Sequence, residues 1–187
     1  KWGYLSACPT NVGTGLRSSV MIHLPALKIT NNIEKMLGAV SQLGLAVRGI
    51  YGEGSESSGN IYQISNQITL GQSEKDIIDN LKSVSLQIIE QERQARERLL
   101  KENKDFVLDK VKRAYGILKY AHRISNKEAL ELISYLRLGV DMNINENIEF
   151  TTLGKLMVLI RPAHLQKFVG EKLSADKRDV KRAELIQ

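Results

Sequence analysis

The sequence predicts an α+β lobe, an antiparallel sheet flanked by helices, followed by an all-helical module. Three observations carry that expectation. Before residue 73, short apolar or alternating runs rich in Val, Ile and Tyr are separated by glycine and proline, the pattern of strands joined by turns. From Ser73 onward apolar residues recur at helical spacing. Two capping-box signatures, Ser73 with Asp76 and Ser125 with Glu128, mark helix starts. The boundary is expected near residue 103, giving a lobe over 1–103 and a helical module over 104–187.

In chain order, Trp2 to Ala7 reads as a strand already under way, and the first residue is Lys1 rather than Met, so the sequence is expected to be part of a longer protein. Val20 to Pro25 reads as a strand ended by its proline. Ile33, Met36, Leu37, Val40 and Leu43 predict a helix, and Leu45 to Tyr51 a strand that runs into a glycine-rich loop, Gly52 to Gly59. Asn60 to Ser65 alternates as a further strand. After Ser73, the residues Ile77, Leu81, Val84 and Ile88 share one helical face, and the helix continues through Glu92–Arg96 and Arg93–Glu97 pairs that predict a solvated extension. Beyond Ser125, the predicted core positions are Ala129, Leu132, Ile133 and Leu136. A later helix carries Leu153, Leu156, Met157 and Ile160 before Arg161-Pro162 stops it, and Ser174 caps the last one.

The formal charge of +6 favours anionic ligands without choosing among them. A single cysteine excludes an internal disulfide framework and suits a reducing cytoplasm. No metal-ligand spacing occurs among the three histidines and the cysteine. With 5% aromatic residues, base-stacking platforms for single strands are not expected, and no helix carries a base-reading pattern, so nucleic acid is not an expected partner. The longest apolar stretch, Leu153 to Ile160, is short and interrupted by Lys155, so no membrane span is expected.

Chemistry concentrates near the start. Cys8-Pro9-Thr10-Asn11-Val12-Gly13-Thr14 places the thiol beside a hydroxyl donor, with Gly13, Gly15 and Arg17 following. A donor and a nearby cation favour the thiolate, and glycines let backbone amides approach a ligand. Arg17 and Arg48 are candidates to hold phosphate oxygens, because a guanidinium makes paired charge-assisted bonds. Glu53 and Glu56, in the loop after Arg48, could grip a cationic substrate and take its proton; a solvated turn is the plainer reading. Near the end, Arg178 and Arg182 stand one helical turn apart with Asp179 between them. They could hold a phosphate while the aspartate reads a guanidinium, or form a surface ion pair worth under about 1 kcal/mol.

The run from Cys8 to Arg17 resembles the active-site signature of the guanidino phosphotransferases, the family of creatine and arginine kinases. The resemblance continues through Val47-Arg48-Gly49, Gly52-Glu53 and Gly59 to Asn66, and covers roughly residues 1 to 100. Within the family the chain is most similar to the bacterial protein-arginine kinases (McsB type), as their carboxy-terminal part. Tyr51 stands where small-molecule arginine kinases carry a second arginine, and Met21 where they have histidine. The helical module, with Arg178-Asp179-x-x-Arg182-Ala183, is foreign to those enzymes.

The resemblance implies transfer of the ATP γ-phosphoryl group to arginine side chains of proteins, with Mg²⁺ carried on the nucleotide and no metal held by the chain itself. Arg17, Ser18, Ser19, Val20 and Met21 would line the ATP site together with Arg48, Gly49, Ile50, Tyr51, Gly52 and Glu53. Cys8 would sit against the substrate guanidinium, with Glu53 or Glu56 as the local candidate for its carboxylate contact. Arg178, Asp179, Val180, Lys181, Arg182 and Ala183 would form an allosteric phosphoarginine pocket. The family's amino-terminal arginine pair and upstream acidic residues are absent here, so this chain alone is expected to be weak or inactive. The resemblance further implies a cytoplasmic protein with protein substrates bearing exposed arginines, and links to a stress-response repressor and an unfoldase-protease. A homo-oligomer is left open. The alternatives are a kinase of free arginine or another small guanidino compound, and a non-catalytic phosphoarginine reader.

Overall fold

Alternation of side chains along three short runs builds one sheet, seen in a computed structural model that describes Cys8 and residues 11–49, 58–144 and 148–187. The chain divides into two units, Lys1–Glu97 and Arg98–Gln187. In the first, strand β1 (Ser19–His23) leads into helices α1 (Pro25–Ile29) and α2 (Ile33–Gln42). Strand β2 (Leu45–Gly49) and strand β3 (Ile61–Asn66) follow, then helix α3 (Glu74–Glu102), most of which belongs to the first unit and whose end belongs to the second. The sheet is antiparallel in the order β1-β3-β2, so the last strand in sequence lies at its centre. This is the α+β architecture the sequence predicts. The expected strand over residues 2–7 and most of the Gly52–Gly59 loop lie outside the described residues.

Register sorts the sheet into two faces. Val20 pairs with Ile64, Ile22 with Tyr62 and Val47 with Ile64, which puts these apolar residues on one side. Ile22, Tyr62 and Ile64 are buried there. Ser19, Met21, Gln63, Ser65, Ala46 and Arg48 consequently share the opposite face. Helix α3 begins as predicted: the Ser73 hydroxyl accepts from the Asp76 amide at 3.2 Å while the Asp76 carboxylate accepts from the Ser73 amide at 3.1 Å. Ile77, Leu81, Val84 and Ile88 are all buried, the single face their spacing implies.

Two expectations in this unit change. Pro25 does more than follow a strand: it occupies the first turn of α1, where its missing N–H costs nothing. Glu92 is not on a solvated extension. It is 3% exposed, and its carboxylate accepts from the Ala26 and Leu27 amides at 3.0 and 2.9 Å, with Arg96 donating to it at 2.8 Å. The first turn of α1, which has no side-chain cap of its own, is thus capped from α3. A charge pattern at i,i+4 spacing reads as solvated unless the tertiary demand for an acceptor is known.

The second unit is helical throughout its described residues. Helix α4 (Lys104–Tyr120) is followed by α5 (Asn126–Asp141), α6 (Phe150–Leu159), α7 (Pro162–Val169) and α8 (Ala175–Ile186). Ser125 caps α5 by accepting from the Glu128 amide, and Ser174 caps α8 by accepting from the Lys177 amide. Pro162 stops α6 and also opens α7. The α5 core is formed by Ala129, Leu130, Ile133, Leu136 and Leu138, whereas Leu132 is only half-buried. Gly139 lets α4 approach closely, since a Cβ there would lie 2.6 Å from Cγ1 of Val111.

Candidate functional site

The segment between Cys8 and β1 is held by the residues that follow β3. The Asn11 amide donates to the Cys8 carbonyl at 3.0 Å. The Thr69 hydroxyl donates to the Val12 carbonyl at 2.7 Å. Gly13 has φ of +106°, and a Cβ on it would meet the Thr69 carbonyl oxygen at 2.4 Å. Only glycine fits this contact without displacing backbone. Further along, Asn66 bonds both the Leu16 carbonyl and the Ser18 amide. Gly13 thus serves backbone-to-backbone packing here, whereas Gly15 is set apart by its φ of +66°.

Arg17, from this loop, and Arg48, from β2, line one cleft of about 380 Å³ together with Asn11, Asn66 and Thr69. Two guanidinium groups on one concave surface make a site for a polyanion, because each offers a planar fork of donors and their fields add. Met21, Gln63 and Arg48 form one row across the sheet by register, on its polar face. Met21 is 56% exposed at the edge of that row. Ser18 gives its amide to Asn66, Ser19 lies on the polar face, and Val20 on the apolar one. Gly49 ends β2 opposite Tyr62. Cys8 is exposed and is not among the residues that line the cleft.

Ile50, Tyr51, Gly52, Glu53 and Glu56 lie outside the described residues. Gln63, Asn66 and Thr69 are the residues whose part the sequence reading did not assign. The first two stand within the Gly59 to Asn66 run that carries the resemblance, but polar residues on a strand give no hint of which face or loop they serve. Thr69 carries no signal in the sequence at all. Among the described residues no group of three or more His, Cys, Asp or Glu side chains could hold a metal ion.

The carboxy-terminal motif has a different character. Arg182 is 1% exposed. Its Nε donates to the Ile160 carbonyl at 2.9 Å, and its Nη1 to the Ile124 carbonyl at 2.7 Å and to Oδ1 of Asp179 at 2.6 Å. Through the buried Arg182, with Asp179 partly buried beside it, the pair ties α8 to the end of α6 and the start of α5, and it is not a surface ion pair. Arg178 is half-buried and donates to the Leu173 carbonyl at 2.9 Å. Lys181 pairs with Glu184 at 2.6 Å, which raises the lysine above its ordinary range. Val180 is half-buried and Ala183 is core.

No helix among the described residues is long and apolar enough to cross a membrane. Residues 1–95 match the ATP:guanido phosphotransferase C-terminal catalytic domain, and residues 104–187 the protein-arginine kinase McsB C-terminal domain. A protein named protein-arginine kinase from Halothermothrix orenii is 66% identical over 187 residues, 100% of this chain and 54% of that protein. Proteins of the same name from Halalkalibacterium halodurans and Bacillus subtilis are 53% and 52% identical, over 100% and 99% of this chain and 52% and 51% of theirs. The chain spans about half the length of the curated relatives it matches. By the domain that covers its first half, it belongs to the ATP:guanido phosphotransferase family.

Proposed function

We propose that this chain supplies the nucleotide-binding half of a kinase that moves the ATP γ-phosphoryl group onto arginine side chains of proteins. The observation that supports this most is the pair Arg17 and Arg48 on one cleft, set in a family of guanidino phosphotransferases and among relatives named protein-arginine kinase. Arg17 and Arg48 neutralise the phosphates, and the polar face of the sheet, from Met21 to Arg48, carries the nucleotide. Mg²⁺ arrives on the ATP.

A guanidinium has a pKa above about 12 and no free lone pair, so it must be oriented and must lose a proton as its nitrogen attacks. Glu53 or Glu56 receives that proton, and Cys8 has an orienting and electrostatic role toward the guanidinium. A new N–P bond forms as the bond from the γ-phosphorus to the ADP oxygen breaks. Positioning and charge stabilisation carry most of such a transfer, which suits arginines and backbone donors held on a sheet. Arg178 and Asp179 read phosphoarginine on α8, giving the product a second site from which to act.

The test uses the chain extended upstream to the length of its relatives. It is incubated with Mg-ATP, a folded protein and free arginine, and both substrates are analysed by mass spectrometry without acid, which would hydrolyse the phosphoramidate. Phosphate on protein arginines and little on free arginine is expected. Phosphate on free arginine alone would make it a small-guanidino kinase, and phosphate on neither would leave a reader of phosphoarginine.

A further inference from the structure

Asn66 closes the central strand β3, and its side chain makes its two shorter bonds to the peptide groups that flank Arg17, besides a longer one from Nδ2 to the Ile68 carbonyl at 3.4 Å. Its Oδ1 accepts from the Ser18 amide at 2.8 Å, and its Nδ2 donates to the Leu16 carbonyl at 2.9 Å. Its own amide donates to the Ser18 carbonyl at 3.3 Å. The Leu16 carbonyl belongs to the peptide plane entering Arg17, and the Ser18 amide to the plane leaving it. Because each peptide unit is planar, holding both planes sets φ and ψ of the residue between them. The backbone of Arg17 is therefore fixed by one carboxamide, and that carboxamide lines the same cleft as Arg17 and Arg48.

Three features argue that this is more than a strand end. The two shorter bonds bracket one residue, and that residue is one of the two arginines on the cleft. Asn66 is fixed from below by the sheet, since its neighbour Ser65 pairs with both Ser19 and Ala46. The other end of the loop is tied independently by Thr69 and Gly13. The loop would thus be anchored without Asn66, while the direction in which Arg17 leaves it would not.

We propose that Asn66 is a positioning residue for Arg17, holding its backbone so that the guanidinium meets the phosphates of the nucleotide in the cleft. This rests on reading the cleft as the ATP phosphate site. A long flexible arginine loses less freedom on binding when its backbone is already set, so Asn66 acts on phosphate affinity through Arg17 and not through contact of its own.

The test measures equilibrium affinity for ATP and for AMP in the full chain, with thermal melting as a check on folding. Asn66→Ala is expected to weaken ATP by about tenfold, the scale of one charge-assisted bond, and AMP far less. Arg17→Ala is expected to do the same, and the double variant to be no weaker than Arg17→Ala alone. Losses that multiply in the double variant, or that are equal for ATP and AMP, would overturn the proposal and leave Asn66 a structural residue. If Arg17→Ala weakens ATP and Asn66→Ala does not, the positioning role fails while the phosphate site stands. Unchanged ATP affinity in Arg17→Ala defeats the phosphate site and the positioning role together. Should Asn66→Ala not fold, Asn66→Ser serves the same comparison, because its short hydroxyl cannot reach both peptide groups.

Discussion

Arg182 presents the sharpest conflict between a binding role and a structural one. Its three bonds go to the protein itself, two of them to the carbonyls of Ile160 at the end of α6 and Ile124 just before α5. Removing it strands Asp179 and two buried carbonyls, so Arg182→Ala should cost about 3–5 kcal/mol in denaturant unfolding. Any accompanying loss of phosphoarginine binding would then report collapse of the pocket and not a lost contact. Arg178 is the better probe: half-buried, it donates to the Leu173 carbonyl. Arg178→Ala should lower phosphoarginine affinity about tenfold while costing under about 1.5 kcal/mol of stability. Equal affinity of wild type and variant, measured by calorimetry, would remove Arg178 from the pocket. Gly13 is a second residue whose role is fixed by geometry. With φ of +106° and the Thr69 oxygen 2.4 Å from an added Cβ, Gly13→Ala should destabilise by at least about 2 kcal/mol, seen as a lowered melting temperature.

Helix α1 shows how an element can depend on a partner far away in sequence. It is five residues long, too short to stand by itself, and its first turn is satisfied by Glu92 from α3. Burial raises the Glu92 carboxyl above its ordinary 4.5, with the Arg96, Leu27 and Ala26 bonds opposing that shift. The folded chain therefore holds this proton to higher pH than the unfolded chain does. The contribution of Glu92 is full below about 4.5 and declines as the pH rises through the raised value. Urea midpoints from about pH 4 to 8 should show wild type losing ground to Glu92→Gln as pH rises; a gap that is flat or widens the other way would contradict this. None of it was visible in the sequence, where Glu92 and Arg96 read as one more surface pair. The caps at Ser73, Ser125 and Ser174 were legible, because a hydroxyl three residues ahead of its amide is a local pattern. The burial of Ile77, Leu81, Val84 and Ile88 was legible for the same reason, whereas the displacement of Leu132 by Leu130 and Leu138 reflects how α5 meets its neighbours.

At the scale of the whole chain, the residues that carry charge were legible and the residues that aim them were not. Arg17 and Arg48 could be nominated because guanidinium groups near glycine-rich turns imply phosphate chemistry, and they do line one cleft. Asn66 and Thr69 could not, because their partners lie about fifty residues away in sequence, at separations of 50 to Leu16 and 57 to Val12. The net charge of +6 adds a long-range field to the local one. These two contributions respond differently to salt. The Debye length falls from about 30 Å at 0.01 M to about 8 Å at 0.15 M, which screens the distributed charge but leaves a guanidinium in contact with phosphate largely intact. On the proposed reading, ATP affinity should therefore fall with added salt and then level off, and AMP, with less charge, should fall less. Arg17→Ala should lower the plateau while keeping the slope, since it removes a contact and only one charge from the total. Binding isotherms for both nucleotides across that salt range decide it: a wild-type affinity that does not respond to salt, or an Arg17→Ala variant whose plateau matches wild type, would mean that the cleft does not draw the nucleotide by its charge.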